Sequence, residues 1–576
     1  MSFYDDASLV FLPSGEAGKD GKAYSMKPTD GSGDFTFSRG SNLTATRIDS
    51  NGLIEKGREN LLTYSNSFDL WNIKNVTSGH AGYDGTNDAW LQSGTSRLQR
   101  NVSLGTSVYS GSVYVKAGFS EYVQLYLVGS TNALARFELI GNGAIATVIG
   151  GISPKIEPVS GATGWYRIST NINASIISFR IYPQNDSSGT QTDDSSIYIQ
   201  DAQLEQGLVA TEPIESGATT GKAGLLEDSP RFDYSGGASC PSLLLEGSRT
   251  NLIEYSEYFD GFSKSGPPTL TLEDVNSPEG VENVYSIVKR SAEDISDRVQ
   301  QSLGALGTNH IFSIFLKLKS TTDTFNVRLA NNQGERVEAV VSTDGTMVAG
   351  GATTATNYDI ENYGNGWYRL WMETTTSATS NFYQLYPNIT NTSVGKCYFY
   401  GAQIEQGSYP TSYIPNHSGG SVTRNADVNT LLNQSGVIGQ TAGTILFDAY
   451  FDEEGKVNFS ISDSSANNFI SIETTSSNEV TAKVEQGGST QATITTATSF
   501  FAEGDRLKCA IAYDDRDMAF YINGTQVNTA APNLIPTCDD IRFGNYDGSI
   551  KADQRVNRVV LFTTRISNGN LATLTS

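Results

Sequence analysis

Histidine and cysteine are nearly missing from this chain of 576 residues, with three of one and four of the other. His80, His310 and His417 have no Gly-x-Ser-x-Gly context, and no His-Glu-x-x-His pair or glycine-rich phosphate loop occurs, so the groups that nucleophilic, zinc or nucleotide chemistry requires are lacking. Catalysis would have to rest on scattered carboxylates, and neither an enzyme nor a cofactor is expected. Cys240, Cys397, Cys509 and Cys538 are too widely spaced for a zinc motif and too few for a disulfide scaffold. Free thiols are expected, with a Cys509–Cys538 bridge left open. Basic charge is also in deficit: 39 Lys and Arg face 62 Asp and Glu, a net charge of −23 that would repel a phosphate backbone or an anionic membrane. Nucleic acid and membrane are therefore excluded as expected partners. No run of about 18 apolar residues occurs, and the opening MSFYDDASLVFLPSG has no basic region followed by a long apolar one, so no export signal is expected.

What is present points to strands. The chain carries 57 Gly, 28 Tyr and 25 Phe and few runs of strong helix formers, a composition that favours short strands joined by turns. The fold class expected is all-β. The length exceeds what one core supports and suggests about three to five domains.

The chain contains a duplication. RENLLTYSNSFD from Arg58 matches RTNLIEYSEYFD from Arg249, SVYVK from Ser112 matches SIFLK from Ser313, and Gly-Trp-Tyr-Arg recurs at Gly164 and Gly366. IYPQN from Ile181 pairs with LYPNI from Leu385, and AQLEQG from Ala202 with AQIEQG from Ala402. Five blocks in the same order, each about 200 residues from its partner, mean two copies of one module. Each block alternates as a strand does. Val113 and Val115 oppose Ser112, Tyr114 and Lys116; Trp165 and Arg167 oppose Tyr166 and Ile168; Tyr198, Gln200, Ala202 and Leu204 are expected on one face. Sheets with one apolar face stack on another, so each module is expected to be a jelly-roll β-sandwich.

The expected organisation is an N-terminal segment 1–57, module one at 58–215, a connector at 216–248, module two at 249–420 and a different third domain at 421–576. Segment 1–57, with SLVFLPSG and FTFSRGS, is too small for a core of its own and should pack on something else. In the third domain MAFYINGTQV places Asn523-Gly524 between alternating residues, a hairpin signal because both turn positions require positive φ. ISNGNLATLT should close the chain as a short helix capped by Ser567 or Asn568.

The opening MSFYDDASLVFLPSG, the stretch FTFSRGSNLTATRIDSNGLIEKGRENLLTYSNSFD and the recurring pattern GWYR, YPQ, AQLEQG, YIPN, VTRNADV resemble fibre, decoration and appendage proteins of tailed-bacteriophage virions. The resemblance spans nearly the whole chain. It implies carbohydrate-binding-like jelly rolls in the two modules, a concanavalin/laminin-G-like third domain, and a structural protein on the virion surface assembled in the host cytoplasm. It further implies docking of segment 1–57 on the particle, other virion proteins and host-surface glycans as partners, and a homotrimer. A purely architectural collar, ring or baseplate component is the alternative, and a polysaccharide depolymerase a further one that would need converging acids and a long β-helix repeat.

The candidate residues divide accordingly. Trp165 and Trp367 could stack on sugar rings, but mid-strand in a duplicated block they are expected to be framework. Glu205 and Glu405, with Gln203 and Gln403, could suggest a glycosidase, which needs two carboxylates about 5–10 Å apart; no second acid recurs at a fixed offset, so structural hydrogen bonding is expected. Arg58 and Arg249 should pair with an acid or carbonyl at a domain junction. Trp71 corresponds to Phe262, a shared packing role. Trp90 and Tyr546, in GYDGTNDAW and GNYDGS, are the candidates for sugar platforms, with interface contact as the alternative. Asp193-Asp194, Asp514-Asp515 and Asp539-Asp540 could hold structural calcium but lack a loop-motif spacing, so solvated charge is expected.

Overall fold

The computed structural model describes residues 3–13, 18–19, 21–40, 43–319, 326–341, 346–375, 380–394, 397–549 and 552–576. Almost every element is a strand, and the chain divides into two compact units. One comprises 56–226 and 250–422, the other 1–55, 227–249 and 423–576.

The first unit holds the duplicated modules, and both adopt the same strand order. In module one, Leu98–Ala117 and Trp165–Gln184, 20 residues each, run through both layers and pair along their length. Register shifts between Ala174 and Ser178 mark where the paired strands turn from one layer into the other. One layer continues through Ser196–Gln206, Ala89–Ser93 and Val76–His80, the other through Tyr122–Gly129, Ala133–Glu138 and Ala144–Ile149. Module two breaks the long strands and forms two six-stranded sheets. His310–Leu318, Trp367–Thr374 and Cys397–Gln406 lie in one; Arg298–Leu303, Asn326–Asn331, Arg336–Val341 and Asn381–Tyr386 lie in the other. Val113, Val115, Tyr166, Ile168, Phe179 and Ile181 share module one's core, and Ile314, Leu316, Leu370, Met372 and Leu385 share module two's.

One face assignment is corrected. Tyr198 and Gln200 lie on the opposite face from Ala202 and Leu204, which are core residues together with Ile197 and Ile199. The cause is a bulge: the register slips between Gln200 and Gln203, and Asp201 takes φ 48°. One extra residue reverses the alternation beyond it. Module two repeats the device with Gly401 at φ 61°.

The second unit is a two-sheet sandwich built from three separate stretches of chain. Gly443–Phe451 pairs with Asp505–Asp514 and Gln554–Phe562. Leu9–Phe11 and Ser242–Leu245 both add to Gln554–Phe562. In the opposing sheet Phe35–Ser38 pairs with Val428–Leu431. Leu9, Phe11, Phe35, Phe37, Phe232 and Leu243 are buried in one cluster with Phe447, Phe459, Ile511 and Phe543. Residues 1–55 and, of the connector, 227–248 therefore do not stand apart from the third domain, because their apolar residues complete its core, while 56–57 and 216–226 belong with the modules. Arg39, Arg231 and Arg424, one from each stretch, converge with Glu246 and Asp427 in a buried ion cluster. Arg424 lies 2.8 Å from Glu246, Arg39 lies 3.2 Å from Asp427, and Arg231 bridges both acids.

Asp517–Ile522 and Thr525–Ala530 form the hairpin around Asn523 (φ 47°) and Gly524 (φ 80°). The last helix, Asn568–Thr575, is capped by Ser567, whose side chain accepts from the Asn570 N–H. All four cysteines are free thiols, so the Cys509–Cys538 bridge is not formed.

Candidate functional site

The duplicated motifs converge on one structural clasp in each module. Glu205 is 1% exposed and accepts from Gln203 Nε2 (2.6 Å), Thr211 N–H (2.8 Å) and Thr211 Oγ1 (2.6 Å). Glu405 accepts from Gln403 Nε2 (2.7 Å), Thr411 N–H (2.8 Å) and Thr411 Oγ1 (2.5 Å). Gln203 and Gln403 accept from Ile214 N–H and Ile414 N–H, each at 2.7 Å. Arg167 and Arg369, from the two Gly-Trp-Tyr-Arg blocks, donate to the Thr211 and Thr411 carbonyls. Asn60 and Asn251, from the two Arg-x-Asn-Leu blocks, donate to the carbonyls of Ala202 and Ile214 and of Ala402 and Ile414. A buried carboxylate saturated by such donors holds the chain after the last strand against the sandwich.

Trp165 and Trp367 are buried, on the face turned away from each main core. Trp165 packs with Ala89 and Tyr114 beneath Tyr83, whose ring stacks on Tyr114 at 3.7 Å; Trp367 Nε1 donates to the Asn276 carbonyl at 3.1 Å. Trp71 and Phe262 occupy matching places in the two cores, each after a short 3-10 turn. Arg58 donates to Glu279 at 2.9 Å and lies 3.9 Å from Glu205, which places it between the modules; Arg249 lies 3.4 Å from Asp553. Lys56 joins Arg58 there, 3.1 Å from Glu257 and 2.6 Å from Glu279, while the Ser107 hydroxyl and the Val108 N–H of module one donate to the His417 carbonyl of module two. Burial pushes the His417 imidazole down to about 4, opposed by the nearby Glu257. Glu257 stays ionised, held down to about 2 against its own burial by Lys56 and His417.

Both candidate sugar platforms are packed on one side. Trp90 is half-buried, donates to the Asn66 carbonyl at 2.9 Å and packs edge-on against Phe68 of the core. Tyr546 is half-buried and stacks on Phe469 at 4.0 Å. Of the acid pairs, Asp193 and Asp194 are exposed, but Asp540 is buried, accepts from Asn433 N–H and pairs with Arg542 at 3.0 Å, so solvated charge does not describe it. Among the described residues no group of three or more His, Cys, Asp or Glu is placed to hold a metal ion.

The surface that does present ligand-type groups lies on the outer face of the other sheet in each module. In module one Tyr182 pairs across the sheet with Gln124, Gln124 with Arg136, and Arg136 with Thr147. Arg97 sits beside Tyr182, since the adjacent pair is Leu98 with Ile181. Strands about 4.8 Å apart bring these side chains into one continuous row. The next row holds Gln99, Arg180 and Tyr126, with the Arg180 guanidinium 5.8 Å from the Tyr126 ring centre. Module two repeats the pattern: Tyr386 pairs with Arg328 and Arg328 with Glu338, and Arg298 lies on the far side of Tyr386. The Tyr386 ring has Arg298 at 5.4 Å and Arg328 at 5.7 Å. Arg97 Nε donates to Gln99 at 2.6 Å and Arg298 Nε to Gln300 at 3.0 Å, the same contact in both copies. Tyr182, Tyr386 and the row arginines are all half-buried, held in place with one side open. The signal was present in the sequence as Arg-Leu-Gln at Arg97 and Arg-Val-Gln at Arg298, together with the tyrosines of IYPQN and LYPNI.

No protein-family model matches the chain, and no curated protein matches it. Among solved structures, part of the chain is similar to the CBM40 of Ruminococcus gnavus IT-sialidase, at 13% identity over 24% of this chain and 84% of that one, with a TM-score of 0.22. Part is similar to domain 4 of AbnA, an extracellular arabinanase of Geobacillus stearothermophilus, in complex with arabinotriose: 11% identity, 30% of this chain, 84% of that one, TM-score 0.23. Sheep galectin-11 is similar at 9% identity over 21% of this chain and 90% of that one, with a TM-score of 0.17. At these values none of the likenesses bears on what this chain does.

Proposed function

We propose that the chain is a non-catalytic structural protein of a tailed-bacteriophage particle, a fibre or decoration subunit on the virion surface that contacts host glycans through the two arginine–tyrosine rows. The observation that supports glycan contact is the duplicated row. An aromatic ring flanked by planar donors, half-buried and repeated in both modules, offers a stacking face and directed hydrogen bonds together. Two shallow sites on one body gain through multivalency what each lacks in affinity. The virion role and the homotrimer rest on the sequence resemblance alone.

A glycan array probed with the intact protein tests this reading. Retention of a subset of oligosaccharides is expected, lost in the double variant Tyr182→Ala/Tyr386→Ala with its melting temperature maintained. Failure of the intact protein to retain any glycan would overturn it. Release of reducing sugar from host polysaccharide would replace it with the depolymerase reading. The architectural reading draws on one feature, the strand Ala144–Ile149 at the free edge of its sheet, where Ile145, Val148 and Ile149 are exposed.

A further inference from the structure

We infer that the row of module one selects acidic sugars, specifically the carboxylate of a uronic-acid residue, an assignment that rests on the glycan reading above.

The argument is one of charge that the protein leaves uncompensated. Arg97, Arg136 and Arg180 lie on this one face, and each guanidinium is held at Nε by a neutral oxygen. Arg97 donates to Gln99 Oε1 at 2.6 Å, Arg136 to Gln124 Oε1 at 2.9 Å and Arg180 to Ser178 Oγ at 3.0 Å. Arg136 also donates to the Ser187 carbonyl at 3.1 Å. None of the three forms an ion pair among the described residues. The carboxylates close by are engaged elsewhere: Glu138 accepts from the Tyr122 hydroxyl at 3.1 Å, and Asp186 accepts from the N–H groups of Ser188, Gly189 and Thr190.

In a chain of net charge −23, three fixed guanidinium groups on one face with no acid paired to them among the described residues favour an anionic ligand there. Module two supplies the internal contrast. Where module one has Gln124 and Arg136, module two has Arg328 and Glu338, which pair at 2.5 Å, and where module one has Arg180, module two has Gln384. The same scaffold thus carries one row in which an acid pairs with one of its two arginines and one in which no arginine is so paired. A guanidinium positioned through Nε alone, as at Arg97 and Arg180, still offers its terminal N–H groups, the fork that matches a carboxylate in the plane of the pair, while Arg136, whose Nη1 is shared with Ser187, adds its charge. Tyr182 and Tyr126 lie beside these forks and supply the ring face on which a pyranose stacks.

The probe is oligogalacturonate and its methyl ester, titrated calorimetrically into the intact protein. The expected result is a preference for the acid over the ester of about tenfold at low salt, shrinking as salt is raised. Arg97→Gln and Arg136→Gln should each bring the ratio towards one, and Arg136→Lys, which keeps the charge, should retain most of it. Thermal melts of the variants establish that the fold is intact. Equal binding of acid and ester, or a ratio unaltered in both glutamine variants, would overturn the acid preference and leave glycan binding standing. Absence of binding to either form would also overturn it, while the array of neutral sugars decides the broader reading separately.

Discussion

Asp201 and Gly401 occupy the same position in two copies of one strand and meet the same backbone demand differently. Both sit in left-handed conformation at the bulge, which glycine adopts freely and aspartate tolerates. Burial, with Asp88 and Asp84 near, raises the Asp201 carboxyl to about 6, although the Tyr83 hydroxyl donates to it at 2.8 Å. Its value in the unfolded chain is near 3.8, so the folded state loses stability as pH rises from about 4 to about 6. Asp201→Asn keeps an acceptor for Tyr83 and suits the backbone. It should stabilise the protein at pH 7.5 by up to about 3 kcal/mol, with little effect at pH 3.5, read as a variant-minus-parent difference in denaturation free energy. The clasp glutamates predict the reverse. Glu405→Gln replaces a carboxylate that takes three donors by an amide whose nitrogen would face one of them, and should cost about 1–3 kcal/mol in denaturant titration. Glu205→Gln should cost about the same if the two clasps are equivalent.

At the scale of elements, the hairpin of the second unit isolates backbone preference from packing. A Cβ on Gly524 would meet nothing closer than 3.7 Å, so only its φ of 80° resists substitution, and Gly524→Ala should cost about 1 kcal/mol in that unit's unfolding. The junction between the modules carries its own pH dependence. His417 is held neutral below its ordinary value by burial, so the stability it contributes is complete above pH 6.5 and is lost as pH falls towards 4. His417→Gln should flatten that acid limb, seen in melting curves between pH 7 and 4.

The elements were the part of the molecule the sequence disclosed best. Alternation located the strands, Asn523-Gly524 marked a turn by its φ requirement, and Ser567 marked a cap. The reversal at Asp201 was hidden because a bulge inserts one residue without changing composition. The half-burial of Trp90 and Tyr546 was hidden for a related reason: a loop aromatic beside Asn and Asp looks exposed in sequence, while the residues that pack against one side of it, Phe68 and Phe469, come from elsewhere in the chain. The arginine–tyrosine rows escaped because their members lie on different strands, and only the register makes them neighbours.

At the scale of the whole molecule, the second unit is interrupted twice and closes only through long-range pairing. Leu9–Phe11 adds to Gln554–Phe562, Phe35–Ser38 to Val428–Leu431, and its three buried arginines come from three stretches of chain. Three arginines share two acids there, so removing an acid strands positive charge in the interior. Asp427→Ala should therefore lower the unit's stability by about 3–5 kcal/mol, whereas replacing all five members, Arg39, Arg231, Arg424, Glu246 and Asp427, by neutral residues of similar volume should cost far less. Calorimetry should place these losses in one transition and leave that of the duplicated modules unmoved.

This closure sets an order of events at the ribosome. Leu9 is made 552 residues before its partner Leu561. Each module has all its strands within one continuous stretch and can fold while synthesis proceeds. The opening segment must meanwhile keep its phenylalanines soluble and wait. A product cut short after the second module would carry finished modules beside an unclosed half-sandwich with its apolar face open, a species prone to aggregation or proteolysis.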